Sequence, residues 1–213
     1  MEDRRVGVMA PDRWDRLLRA AADEFAQAGY EQASLNRIIR TCGMSKSSFY
    51  HYVDSKEQLF ERVLWAYGPA LIDILELPSE EELAHDFWGE LDRIVDRLAA
   101  AGTQDPIYAL IGRMCYLPGA PSGEKTALGQ GFAKVLAWLH RALQVGRRAR
   151  AVRDDMPVEL QAQVMLAVLR VFDEWSLTRM PASGEAQKRL IEAQLAAIHR
   201  LIGTALDQPV HSS

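Results

Sequence analysis

Lys46, Ser47, Tyr50 and His51 are spaced so that all four fall on one side of a short helix, and Ser45 stands directly before them. An ammonium, hydroxyls and an imidazole offer hydrogen bonds and positive charge rather than a nucleophile with its base. From Gln32 to Val53 there is no acidic residue, while Arg37, Arg40 and Lys46 are basic. An acid-free stretch of basic, small polar and aromatic groups suits a polyanion. Charge alone leaves a second reading open, an ordinary helix pair with solvated basic residues.

The elements that must position these groups are legible around them. Ser34 is placed to cap a helix whose apolar face is Leu35, Ile38 and Ile39, at i, i+3 and i+4. Gly43 follows Cys42 as a residue that ends a helix at positive φ. Ser45 can cap a second helix, Lys46 to Val53, with Phe49, Tyr52 and Val53 on the face opposite the polar set. Helix, glycine turn, helix is the layout of a helix-turn-helix. An earlier helix, about Pro11 to Ala28, has proline near its start and Gly29 after its end. Its stripe of Trp14, Leu17, Leu18, Ala21, Phe25 and Ala28 is expected to cover the pair, giving a three-helix head.

The stretch Ala33-Ser34, Leu35 to Cys42, Gly43-Met44-Ser45-Lys46-Ser47-Ser48-Phe49-Tyr50-His51-Tyr52-Val53 and Ser55-Lys56-Glu57-Gln58-Leu59 resembles the TetR family of bacterial transcriptional repressors. It departs from the family pattern at Val53, where an aromatic is usual, at Cys42 and Ile39, where alanine is usual, and at Ser48, where threonine is common. These are core or turn positions. The resemblance covers the N-terminal part of the chain. It implies an all-α fold, a major-groove reader with Lys46 and Ser47 nearest base edges, backbone contacts from Ser34, Ser45, Tyr50, His51 and Lys56, and Ser48 within the same DNA-binding set. It also implies a homodimer paired through the last two helices and a small-molecule effector that releases operator DNA.

Composition bounds the remainder. The chain has 213 residues, nearly half of them hydrophobic, and a net charge of −4. It is not a basic nucleic-acid coat, so a DNA reader within it needs its positive charge gathered on one face. Cys42 and Cys115 are too few for a disulfide framework and fit a reducing cytoplasm, as buried small hydrophobes. The N-terminus lacks the apolar core of a signal peptide, and no run approaches the ~18 apolar residues of a membrane helix.

The expected organisation is a flexible tail over 1–10, a DNA-binding domain over 11–55 with its motif at about 33–52, and a helical regulatory and dimerisation body over 56–213. Asp54 and Glu57 suggest a capping-box-like start to a fourth helix, which Gly68-Pro69 should interrupt. Ser79 to Glu82 is a capping box opening a helix to about Ala101, with Leu83, Phe87, Leu91, Ile94 and Leu98 inward and Gly102 as its stop. Helices follow over about Pro106 to Tyr116 and Thr126 to Val145, separated by the Pro/Gly/Ser loop Leu117 to Lys125. The arginines within 147–153 read as helix C-terminal complementation and solvation rather than a nucleic-acid patch. The last two helices span about 157–179 and 183–206. Leu160, Val164, Val168, Val171, Phe172 and Trp175 lie on the first, and Leu190, Ile191, Leu195, Ile198, Ile202 and Leu206 on the second.

No phosphate loop, nucleophile elbow or HExxH occurs, and the five histidines show no zinc spacing, so neither a metal nor a cofactor is expected. Trp65, Tyr67, Trp88, Tyr108, Met114, Tyr116, Trp138 and Trp175 are candidates to line an effector pocket, although each taken singly also suits a core. The sequence reading is therefore a ligand-responsive repressor. The competing reading is a helical-bundle enzyme or interaction protein whose basic helix pair is incidental.

Overall fold

The computed structural model describes residues 9–179 and 185–204. Among them are α1 (Pro11–Gln32), α2 (Leu35–Thr41), α3 (Lys46–Tyr50), α4 (Lys56–Leu75), α5 (Glu80–His85), α6 (Phe87–Gln104), α7 (Pro106–Met114), α8 (Ala127–Arg148), α9 (Val158–Arg179) and α10 (Glu185–Ile202). One isolated bridge, Val152 to Gly203, is the extended pairing among the described residues. The fold is all-α, as expected. Residues 1–8 of the expected tail 1–10, and the expected ends of the last helix at Ser183 and Leu206, lie outside the described residues, whereas Met9 is buried.

The chain groups into two compact units, residues to Leu71 with Gly102–Gln130, and Ile72–Ala101 with the residues from Gly131 on. In the first unit α1 is central. Leu17, Leu18, Ala21, Ala22 and Phe25 are buried along it. The Phe60 ring of α4 meets Phe25 edge-on at 5.1 Å and Tyr30 edge-on at 5.2 Å. α1 packs on α2, and also on α7, whose Ile107, Ile111 and Met114 are buried. α7 therefore belongs with the N-terminal helices. Sequence reading had assigned it to the body because its apolar face does not reveal its partner.

In the second unit, Leu83, Phe87, Leu143, Val152, Met165, Ile198 and Ile202 belong to one buried cluster. Its helices differ from expectation in instructive ways. The Ser79–Glu82 capping box forms, but its helix stops at His85. Asp86 leaves helical geometry and its carboxylate accepts from the Gly89 amide at 3.1 Å, capping a new helix, α6. Within α6 Phe87 is buried, while Leu98, expected inward, is exposed. Gly102 does not stop α6, which runs on to Gln104. Gly68-Pro69 likewise does not interrupt α4, which continues to Leu75. Glycine before proline lacks the Cβ that would clash with the ring, which eases helical geometry there.

α9 carries apolar residues on two faces. Ala162 and Met165 are buried, with Leu169 and Phe172 packed against the same core. Leu160, Val164, Val171 and Trp175 are exposed. The arginine cluster is used within its own unit. Arg147 donates to the Gln161 side chain (2.7 Å) and the Met156 carbonyl (2.7 Å), Arg148 pairs with Glu80, and Arg153 pairs with Asp155.

Gly29 interrupts α1 with φ 79° and ψ 163°, a region essentially closed to other residues. Nothing lies within 4 Å of a Cβ placed there, so steric contact is not the constraint. Gly29→Ala should therefore cost about 1–3 kcal/mol of backbone strain, read as a lower urea midpoint with unchanged slope.

Candidate nucleic-acid interface

Two serines close the fronts of two short helices. Ser34 Oγ accepts from the Arg37 amide at 3.4 Å, and Ser45 Oγ accepts from the Ser48 amide at 3.1 Å. Between the helices, Gly43 takes φ 62°. Its amide donates to the Arg40 carbonyl and the Met44 amide donates to the Ile39 carbonyl, which is a Schellman turn. Ile39 and Met44, the two residues such a turn brings together, are both buried.

α3 is then sorted by face. Phe49 and Val53 are fully buried. Ser45, Lys46, Ser47, Tyr50 and His51 are exposed, and Ser48 is half-buried. The Tyr50 ring stands edge-on to Phe49 at 5.2 Å, and His51 stands edge-on to Tyr52 at 4.9 Å. The polar set named from the sequence therefore shares one exposed surface, anchored from behind by Phe49.

Lys56 is placed differently from its expected phosphate-facing role. Its Nζ donates to the Glu31 carbonyl at 2.9 Å and lies 5.1 Å over the Tyr30 ring, tying the start of α4 to the end of α1. An ammonium has three donors, so this contact leaves others. The cap of α4 is shifted by one residue from the expected Asp54–Glu57 pair. Ser55 Oγ accepts from the Gln58 amide (3.0 Å), and the Gln58 side chain reaches back to the Asp54 amide (2.8 Å) and carboxylate (2.7 Å). Gln58 thus takes up the amide of the residue before the cap, and its own amide donates to the Asp54 carboxylate.

The sequence reading missed Glu24. This α1 carboxylate accepts from the Ser34 amide at 2.7 Å and from Arg37 Nε at 2.9 Å, with a second guanidinium nitrogen at 2.6 Å. The Arg37 hydrogen bonds, more than the Ser34 amide, hold the carboxyl below its usual range against the cost of burial. Thirteen residues separate the pair, so helical spacing could not have linked them. A second ionic cluster joins α1 to α4 and α7. Tyr67 donates to Asp15 at 2.7 Å, and Arg19 bonds Asp15 at 2.9 Å and both Asp105 oxygens at 2.9 Å. The Tyr67 bond lowers the Asp15 pKa most, and Arg19 lowers that of Asp105.

The effector candidates are distributed over both units. Trp65, Tyr67, Tyr108, Met114 and Tyr116 lie in the first, and Trp88, Trp138 and Trp175 in the second. Trp65 and Trp175 are exposed, and Met114 is fully buried. Trp88 and Trp138 pack against the core of the second unit, where Trp88 stacks on His199 at 3.7 Å.

Fold and site together define a helix-turn-helix protein with a large helical remainder. Residues 17–63 match the family model for bacterial regulatory proteins of the tetR family. Over that stretch the chain is similar to the TetR family of bacterial transcriptional regulators. It is 41% identical over 49 residues to the HTH-type transcriptional regulator YdgC of Bacillus subtilis (strain 168), a match spanning 23% of this chain and a quarter of YdgC. It is 25% identical over 199 residues to the HTH-type transcriptional repressor NemR of Escherichia coli (strain K12), covering 91% of this chain and 95% of NemR. Its fold is similar to that of AibR, solved in complex with isovaleryl coenzyme A and operator DNA, with a TM-score of 0.65, 19% identity and coverage of 87% and 97%.

Asp15, Glu24 and Asp105 all have depressed pKa values in the folded chain. Their stabilising contribution is present above the ordinary carboxylate range and is lost as pH falls through the depressed values. Stability should fall from about pH 5 downward. Asp105→Asn, which keeps a competent cap for α7, should flatten that loss in a pH series of melts followed by circular dichroism.

Proposed function

We propose that the chain is a ligand-responsive transcriptional repressor acting in the cytoplasm, binding a pseudo-palindromic operator as a homodimer and released by a small-molecule effector. The observation that carries this reading is the exposed, acid-free face of α3, with Lys46, Ser47, Tyr50 and His51 outward and Phe49 behind them. Such a helix leads into the major groove with its N-terminal residues. Lys46 is then positioned for acceptors on guanine, while Ser34, Ser45, Ser48, Tyr50, His51 and a free donor of Lys56 take backbone phosphates. The proposed functional division is 11–55 for DNA and 56–213 for regulation and pairing, with no catalytic role.

Pairing is supported by the outward stripe on α9, Leu160, Val164, Val171 and Trp175, which the unit's own core leaves exposed. An isologous patch covers such a stripe with its own copy. Two heads would then read half-sites about 34–36 Å apart or a multiple of that spacing. Ile198, on the last helix, is buried in the unit's own core. A charge there would disrupt the fold instead of testing pairing. Val171→Asp is the cleaner probe and should give a folded monomer by light scattering with weakened DNA binding.

For the effector, the eight aromatic and soft side chains named from the sequence remain the proposed set. The Trp88 indole N–H is buried without an acceptor among the described residues, an unused donor suited to a polar group on an otherwise apolar ligand. A thermal-shift screen of metabolites and drugs finds that ligand, since one at ~100 times its dissociation constant stabilises by ~2.7 kcal/mol. AibR's operator and acyl-coenzyme A make a DNA-plus-ligand mode a reasonable starting point for the screen.

The DNA reading is tested by titrating the chain against duplex DNA as salt is varied. A steep fall of affinity with salt is expected from counterion release. An enzyme or interaction protein with an incidental basic pair would show a flat response. Lys46→Ala should cost about 1–3 kcal/mol on the preferred duplex and relax specificity at one position.

A further inference from the structure

Arg37, Arg40 and Lys46 supply the positive charge between Gln32 and Val53. The structure treats them unequally. No side-chain hydrogen bond or ion pair among the described residues holds Arg40 or Lys46, and both are exposed. Arg37 is held by the Glu24 carboxylate through Nε and a terminal nitrogen, and also donates to the Gln32 carbonyl at 3.2 Å. The Glu24 side chain is 13% exposed and that of Arg37 49%. The acid-free stretch is therefore acid-free only along the chain, because α1 brings a carboxylate to it through space.

We propose that Glu24 is a positioning and specificity-determining residue for DNA binding, fixing the start of α2 through the Ser34 amide and neutralising Arg37 so that the head's sequence-independent affinity stays low. This deepens the DNA-binding reading and rests on it. Sequence-independent affinity follows the number of phosphates that lysine and arginine neutralise. Arg37 lies one turn beyond Ser34 on the helix that crosses the backbone in this mode of docking. Released from Glu24, its guanidinium would add a phosphate contact on any sequence, operator or not. What matters for a regulator is the ratio of specific to non-specific affinity, and an extra indiscriminate contact lowers that ratio. A glutamine at position 24 could also accept from the Ser34 amide. The carboxylate adds its charge, and the partner placed to receive that charge is Arg37.

The test uses the full chain, a random-sequence duplex, and the duplex that the wild-type chain selects from a random library. Glu24→Gln keeps the shape and frees the guanidinium. The expected result is tighter binding to the random duplex, a salt slope steeper by ~0.9, and a smaller ratio between selected and random duplexes. Arg37→Gln leaves Glu24 uncompensated and should weaken binding to both duplexes. The double variant Glu24→Gln/Arg37→Gln restores the wild-type charge and should restore the wild-type slope. If Arg37 already contacts phosphate in the wild type, the double variant will have a shallower slope than wild type, which overturns the proposal. If Glu24 is only structural, Glu24→Gln will melt lower and bind the selected duplex less well with its slope unchanged, which also overturns it. Arg37 is half-exposed, so its single variant reports even if Glu24→Gln folds poorly. In that case equal binding of Arg37→Gln and wild type to the random duplex overturns the proposal. A wild-type chain with no salt-dependent binding to any duplex sinks the DNA-binding reading itself, and this inference with it.

Discussion

α3 is five residues long, while isolated helices shorter than ~12–15 residues are marginal in water. It persists because Phe49 and Val53 are buried without residual exposure and because Ser45 satisfies an otherwise free amide at its start. Everything proposed for the exposed face depends on that burial. If the Phe49 anchor were loosened, Lys46, Ser47, Tyr50 and His51 would still be present in the chain, but no longer as one surface. The Schellman turn at Gly43 completes the constraint. It joins buried Ile39 to buried Met44 and so fixes α3 relative to α2 from the core side, leaving the outer side free of packing duties.

The same economy explains how the N-terminal unit uses its charges. Exposed ion pairs contribute little to stability, ~0–1 kcal/mol, so Glu24–Arg37 and Asp15–Arg19–Asp105 are weak candidates for holding the fold together. Their geometry is nevertheless specific. Each joins α1 to a different neighbour, α2 through Glu24 and α7 through Asp105, and Tyr67 adds α4 through Asp15. Hydrophobic burial along Leu17, Ala21 and Phe25 supplies the adhesion. The polar contacts set the register, because a bidentate guanidinium–carboxylate pair tolerates little displacement.

The head was legible in the sequence because its signals are local. Ser34 and Ser45 cap helices one turn away, Gly43 marks a positive φ, and the i, i+3, i+4 spacing of Leu35, Ile38 and Ile39 gives a face. The same local rules failed where two of them competed. Asp86 could be read as an interior polar residue or as a cap, and an apolar stripe that ran smoothly across it hid the break. Proline at position 69 was read as an interruption, but α4 runs through it. Partners across space had no local signal at all, which is why the packing of α7 on α1 was not legible and Glu24 was passed over. On α9 the stripe was found but its direction was not. Apolar residues on two faces satisfy helical spacing twice, and only the core of the second unit shows which set turns inward.

Centring the first unit on α1 constrains how an effector can act on DNA binding. One route runs through α4, whose Phe60 packs edge-on against Phe25 of α1. The structure adds another within the same unit, since α7 packs on α1 and its capping residue Asp105 is gripped by Arg19. α1 in turn grips the start of α2 through Glu24. A ligand that shifts α7 or α4 therefore acts on the body to which the reading helices are attached, without any rearrangement inside the helix-turn-helix. It can do so only by the difference in its affinity for the two positions of those helices. Reciprocity then requires operator DNA to weaken the ligand by the same factor. A ligand whose affinity is unchanged by operator is not an equilibrium inducer, however tightly it binds and whichever aromatic side chains hold it.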